Sequence, residues 1–466
     1  MKRDIKICYI GGGSKLWARV FMSDLAVAEG LSGEMALYDI DREAAERNAK
    51  IGVRINENPN TKSKLEYKVY DKLEDALSGA TFVLLSILPG TFKEMRSDVH
   101  TPEKYGIYQS VGDTAGPGGV LRAMRTVPIY EDFAKKIKEI CPDAWVINFT
   151  NPMSICIKVL YDVFPEIKAF GCCHEVFHAQ KLLTVMLKEL RGIDVHRSQI
   201  YTDACGVNHF TWITRARYED IDLLALVPEF AEKFGEEGYY EEGDDRFAFE
   251  TNPFAYGNKV KIDLFEKYGA LAAAGDRHLA EFLPNKWYLK DPETVKAWKF
   301  GLTTVDYREA DQAQKIADTI EMAEGRKEFE VVKSDEEAVE LMKALLGGGT
   351  VVSNVNMPNR GQMPQMPLGS IVETNCVFSN DTVSPVVSRP LPTGASNLVY
   401  RCCVNIDNTY LGIKERDLDK IYQAFVNQAL CNSLSMEESK ELFREMCLNT
   451  REYLDPYYDL DTYFGC

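Results

Sequence analysis

A chain of 466 residues with 45% hydrophobic and 27% charged side chains is globular in composition and too long for one simple core, so two closely packed lobes are expected. Its formal net charge of −17 argues against a nucleic-acid partner, because phosphate binding needs a basic face. No apolar stretch reaches the length of a membrane span, and the N-terminus turns glycine-rich too soon for a signal peptide's apolar core.

Residues 5–10 (IKICYI) read as a buried strand that runs into Gly11-Gly12-Gly13-Ser14, followed by a helix to about Glu29. A second strand, Glu34 to Ile40, carries Asp39 near its end, and a helix covers Arg42 to Asn56. Thr81 to Leu88, Ala144 to Phe149 and Ile167 to Cys172 are further buried strands, with a helix over Val127 to Ile140. This alternation predicts a parallel sheet with helices on both faces, over residues 1–175. Beyond it, 176–466 reads as mixed α+β. Helices are expected at Val176 to Leu190, Asn258 to Ala273, Asp311 to Ala323, Asp417 to Leu430 and Glu437 to Leu448. Strands are expected at Ile200 to Thr214 and Val351 to Val355, with loops joining short strands over Asn356 to Pro392.

A turn that brings backbone N–H groups against a pyrophosphate tolerates only glycine, which is what Gly11, Gly12 and Gly13 supply. The full G-x-G-x-x-G pattern is absent, but Asp39 strengthens the reading, since a carboxylate there accepts ribose hydroxyls and repels a 2′-phosphate. A nicotinamide dinucleotide, NAD, is the expected ligand, against a doubly wound fold without one. Of the six histidines, His174 follows Cys173 at the end of a predicted strand, and His209 lies in Gly-Val-Asn-His. A thiolate and an imidazole make a metal pair that substrate or water would complete, although two such residues are often unrelated parts of a core. The run from Tyr105 to Pro128 reads as a substrate-facing loop, with Arg96, Arg122 and Arg125 as anion-binding groups, and Asn151 ends a strand beside the same crevice. Twelve cysteines without a CxxC pair read as reduced thiols of a cytoplasmic protein.

Together IGGGS, the stretch from Met95 to Thr126, FTNP, CHEV and GVNH resemble glycoside hydrolase family 4, the NAD- and divalent-metal-dependent glycosidases. The segments around Tyr268 and Asn359-Arg360-Gly361 also fit. The resemblance implies a Rossmann-like N-terminal domain and an interwoven C-terminal α+β domain, in the lactate/malate dehydrogenase-like superfold. It implies a route outside the two-carboxylate scheme of most glycosidases: oxidation at C3, loss of the C2 proton, elimination of the aglycone, addition of water and return of the hydride. Cys173 and His209 match the metal ligands, with Mn²⁺ implied although a Cys-His pair by itself favours Zn²⁺. Tyr268 matches the C2 base, and Asn151 and Arg96 match substrate contacts.

The phospho-glycosidase branch has Asp where this chain has His174, which argues against a sugar phosphate and leaves His174 as either proton donor or substrate ligand. CHEV looks most like the α-galacturonidase branch, for which Arg277 and His278 are plausible partners of the sugar carboxylate. An α-glucuronidase, an α-galactosidase, a 2-hydroxy-acid dehydrogenase and a non-catalytic NAD sensor are the alternatives. Family members are commonly dimers or tetramers, so a homo-oligomer is implied.

Overall fold

In the computed structural model, which describes residues 3–240 and 245–465, the first strand already explains the layered architecture. Along β1 (Arg3–Ile10), Ile5, Ile7 and Tyr9 enter one apolar core while Cys8 and Ile10 enter another, so both faces of the strand are covered. β2 (Leu31–Tyr38), β3 (Leu65–Val69), β4 (Phe82–Leu85), β5 (Trp145–Asn148) and β6 (Lys168–Gly171) join it in the order β3-β2-β1-β4-β5-β6, all parallel. This is the doubly wound dinucleotide-binding order, and it puts the ends of β1, β2, β5 and β6 at one carboxyl edge.

The sheet does not stop at β6. β11 (Val351–Pro358) meets it antiparallel at Asn356↔Gly171, and β12 (Ile371–Ser379), β7 (Tyr201–Val207), β8 (Phe210–Tyr218) and β10 (Leu271–Ala272) continue outward. Short strands β9 (Ile221–Asp222) and β13 (Thr382–Pro385) pair with β8 and β12. The helix Val305–Glu324 packs on Arg42–Glu57, and Ala338–Leu345 packs on Trp17–Val27. Met322, Leu341 and Met342 therefore share one core with Leu25 and Ile51. The sheet thus runs unbroken past residue 175, changing strand direction between β6 and β11, and the C-terminal half is interwoven with the first.

Several segments depart from the sequence reading, among them the expected helix Asn258 to Ala273, which ends at Tyr268 before β10. The glycine-rich run is largely helical, because the helix starts at Gly116 and continues to Ile140. Its glycines serve close packing: a Cβ on Gly119 would lie 2.3 Å from the carbonyl oxygen of Thr114. Arg125, on the same helix, is no anion ligand but holds Asp98 in an ion pair in which both side chains are 1% exposed. Finally, the region read as loops contains the nine-residue β12, and a 23-residue helix, Thr393–Glu415, follows where no helix was expected.

Candidate active site

At the end of β1 the chain turns sharply enough that Gly11 adopts φ +95°, and a Cβ there would fall 1.9 Å from the Ser86 carbonyl oxygen. The N–H groups of Gly11 and Gly12 both donate to the Tyr38 carbonyl at 2.9 Å, tying the turn to the end of β2. The Gly13 N–H donates to Asp39 Oδ2 at 2.8 Å, and Ser14 Oγ accepts from the N–H of Trp17, opening the first helix. Buried Asn48 donates to the carbonyls of Gly12 and Ser14 at 2.7 and 2.9 Å. Ile40, beside Asp39, is 97% exposed, an apolar surface next to a carboxylate.

Further along the same edge, Cys173 Sγ lies 3.2 Å from His209 Nδ1. The two meet because β7 and β8 form a tight hairpin with Asn208 and His209 at its turn, paired through β12 and β11 to β6. On the other side of the imidazole, Asn151 Nδ2 is 3.2 Å from His209 Nε2, while Asn151 Oδ1 is buried without a hydrogen-bond partner. Burial lowers the pKa of His209 and drives that of His278 well down, so both rings are neutral and keep a lone pair. The His278 ring packs on His209 with centroids 4.4 Å apart, and its Nε2 is 3.4 Å from Glu175 Oε1. Glu175 accepts from the Gly275 N–H at 2.7 Å through its other oxygen.

His174 sits at the junction of the two regions. Its ring lies 5.5 Å from that of Trp17, its Nε2 is 3.8 Å from Glu175 and its Nδ1 is 3.4 Å from Glu336. One helical turn on, His178 Nδ1 is 2.9 Å from the Tyr256 hydroxyl. His174, Glu175 and His178 bring three metal-capable side chains together. Four of the six histidines of the chain thus converge, a signal that counting alone did not reveal. Beside them, Asp113 is held well below the usual carboxylate range: burial works against its charge, but the guanidinium groups of Arg122 and Arg308, joined by His278 and His209 only when these are protonated, outweigh it.

The structure therefore brings together Cys173, His209, Asn151, His278 and His174, with Arg277 next to His278, and it separates two expected members. Arg96 is turned to Asp306 at 2.7 Å and Glu309 at 3.1 Å on an exposed face. Tyr268 packs its ring edge-on against Trp212. It closes the helix Lys259–Tyr268 whereas Tyr256 precedes that helix, so some ten residues of helix, about 15 Å, separate the two tyrosines. The cluster contains Tyr256. Sequence reasoning also missed Glu175, His178, Asp113, Arg308 and Asn48. Glu175 and His178 had one legible signal, since both follow Cys173 on a helix that begins at the sheet edge.

Residues 6–189 match the model of the family 4 glycosyl hydrolases, and residues 204–431 match that of the family 4 glycosyl hydrolase C-terminal domain. An alpha-galacturonidase of Thermoanaerobacterium saccharolyticum is 51% identical over 453 residues, covering 97% of both chains. A crystal structure described as that of a glucosidase, lplD, from Bacillus subtilis superposes with a TM-score of 0.89 at 46% identity, covering 95% of this chain and 99% of that one. A 6-phospho-alpha-glucosidase from gut microorganisms, in complex with NAD and Mn²⁺, shares the fold with a TM-score of 0.79 at 18% identity, over 97% and 99% of the two chains. The chain belongs to the family 4 glycosyl hydrolases.

Proposed function

We propose that this protein is an α-galacturonidase that uses NAD and a divalent metal, Mn²⁺ by preference, to release an α-linked galacturonic acid. The observation that carries the reading is the 51% identity to an alpha-galacturonidase along 97% of both chains. The residues present fit both groups. The glycines let the turn pack directly on Ser86, Leu37 and Ala44 at the carboxyl end of the first strand, with Ser14 and Asp39 beside it. A thiol, a neutral imidazole and the orphaned Asn151 Oδ1 form a donor set that sugar oxygens can complete around a divalent ion. When bound, NAD supplies a hydride acceptor and donor, and the metal supplies a Lewis acid at the sugar hydroxyls.

The remaining chemistry falls to side chains. Tyr256 removes the proton at C2. Its pKa is raised well above that of a free phenol, first by burial and then by Glu175 and Asp276, while Arg277 opposes the rise. His178 Nδ1, 2.9 Å from the hydroxyl, orients the phenol, and the charge of a bound divalent ion would favour the phenolate that the step needs. His174, which lies between Glu175 and Glu336, carries a proton to the leaving oxygen. Asn151, Arg277 and His278 contact the sugar. A cytoplasmic location accords with the eleven free thiols among the described residues, in which no helix is long and apolar enough to cross a membrane. A homodimer or homotetramer is part of the same reading.

The decisive experiment is hydrolysis of an α-galacturonide with NAD and Mn²⁺ in D₂O under reducing conditions, followed by NMR. Deuterium at C2 of the released sugar is expected. Release without deuterium would replace the elimination route by ordinary acid-base hydrolysis, and NADH accumulation from a hydroxy acid would favour a dehydrogenase. Replacing Asp39 by Ala is expected to weaken NAD binding about tenfold and to narrow the preference over NADP, because the ribose loses its acceptor and the 2′-phosphate its repulsion. Calorimetric titration with both nucleotides checks this, and two unchanged constants would take Asp39 out of the site.

A further inference from the structure

Charge is unevenly matched beside the histidine cluster. Arg122 and Arg277 are buried, and Arg308 is half-buried, yet among the described residues no carboxylate lies within salt-bridge distance of any of the three. Their hydrogen-bond partners are neutral. Arg122 Nε donates to the Asn151 carbonyl at 3.0 Å. Arg277 Nη1 donates to Thr303 Oγ1 at 2.9 Å, and its guanidinium lies 4.3 Å from the Phe254 ring centroid. Arg308 donates through Nε to the Thr303 carbonyl at 3.3 Å and through Nη2 to the Val111 carbonyl at 2.8 Å.

Three carboxyl groups stand near enough to matter, and Glu175, which is ionised, is already engaged by His278 and by the Gly275 N–H. Asp113 is ionised, for the reasons given above. Glu281 is pushed up to about 8, chiefly by burial with Asp113 adding to it, even though it accepts from the N–H groups of Val111 and Gly112. Apart from Glu175, one ionised carboxylate thus faces three guanidinium groups. Leaving two buried cations without a counter-charge is costly unless a ligand supplies one.

Position decides which arginines meet it. Arg122 is tied to Asn151, whose side chain touches His209, so it belongs to the metal side of the cleft. Arg277 and Arg308 are joined through opposite ends of Thr303, and Arg277 adjoins His278, whose ring packs on His209. A pyranose whose C2 and C3 oxygens face Cys173 and His209 carries its C5 substituent on the opposite side of the ring, away from them. We propose that Arg277 and Arg308, bridged by Thr303, form a two-armed receptor for the C5 carboxylate of the sugar, and that Arg308 is the residue that makes the site select a uronic acid over a neutral hexose. The proposal rests on the galacturonidase reading for its substrate, but it is tested by binding and not by turnover.

The test is titration of the NAD- and Mn²⁺-loaded protein with D-galacturonate and D-galactose. Arg308→Gln, which keeps an amide donor toward Val111 but loses the charge, should bind galacturonate about 30-fold more weakly, with NAD affinity unchanged. Arg308→Lys should recover part of the loss, since the charge returns without the fork. Thr303→Val, which removes the hydroxyl under Arg277, should weaken galacturonate binding by a smaller factor and serves if Arg308→Gln does not fold. The inference is overturned if the unaltered protein binds galacturonate no more tightly than galactose, or if Arg308→Gln binds it as tightly as the unaltered protein. Galacturonate binding that depends on Arg308, without release of an aglycone from a galacturonide, would uphold the receptor and defeat the proposed hydrolysis.

Discussion

Cys173→Ala is expected to lower kcat/KM on an α-galacturonide by about 1,000-fold or more while leaving NAD affinity intact. The thiol is one of two protein ligands proposed for the metal, 3.2 Å from its partner His209. A Lewis acid at the reacting sugar is worth several kcal/mol, and each 1.36 kcal/mol is a factor of ten in rate. Cys173 is also buried at the end of a sheet strand, so a loss of activity alone could mean a damaged fold. Three measurements separate the cases: turnover, metal content by elemental analysis, and NAD binding by calorimetry. Loss of metal and turnover with NAD binding retained is the expected pattern. Cys173→Ser, which offers an oxygen in nearly the same place, should regain some activity at raised Mn²⁺. Full activity of Cys173→Ala in metal-free buffer would remove the residue from the reaction.

Tyr256→Phe is expected to cost about 100- to 1,000-fold in kcat, the usual range for a lost general base, whereas Tyr268→Phe should change it by less than about threefold. The reason lies in their surroundings. The Tyr256 hydroxyl is within 2.9 Å of His178, in the same cluster as Glu175, His278 and His209. Tyr268 instead packs on Trp212 at the far end of the intervening helix. Deuterium incorporation at C2 gives a readout that packing damage would not mimic. Tyr256→Phe should lose exchange at C2 while the holoenzyme still oxidises C3, seen as a small burst of NADH absorbance. The reverse pattern, with Tyr268→Phe inactive and Tyr256→Phe normal, would return the base to Tyr268.

The two tyrosines show where sequence reasoning stops. Tyr256 and Tyr268 flank one amphipathic segment, and nothing in the local pattern says which end faces the sheet edge. That depends on the direction in which Lys259–Tyr268 packs, which long-range contacts decide. Arg96 and Arg125 illustrate the same limit. Both lie in a basic, glycine-rich neighbourhood that resembles an anion site, yet Arg125 is consumed by Asp98 and Arg96 by Asp306 and Glu309. The glycines from Gly116 onward belong to a helix, because small residues there let Asp98 and Thr114 backbone approach.

What the sequence determined by itself was local or contiguous. Alternation of apolar runs and helices specified the doubly wound half, since both faces of a parallel sheet must be covered by the segments that connect its strands. The glycine turn, Asp39 and Cys173 could be placed because each directly follows a recognisable strand, and a strand's carboxyl end in such a sheet is a site by geometry. Only the tertiary structure brought His209, carried on a distant hairpin, against Cys173, and made β11 and β12 extend the first sheet. It alone joined Arg277 to Arg308 through Thr303, from segments with no common pattern. Periodicity reports which face of an element is buried, but not which other element covers it, and the pairing of charges and ligands across elements depends on that choice.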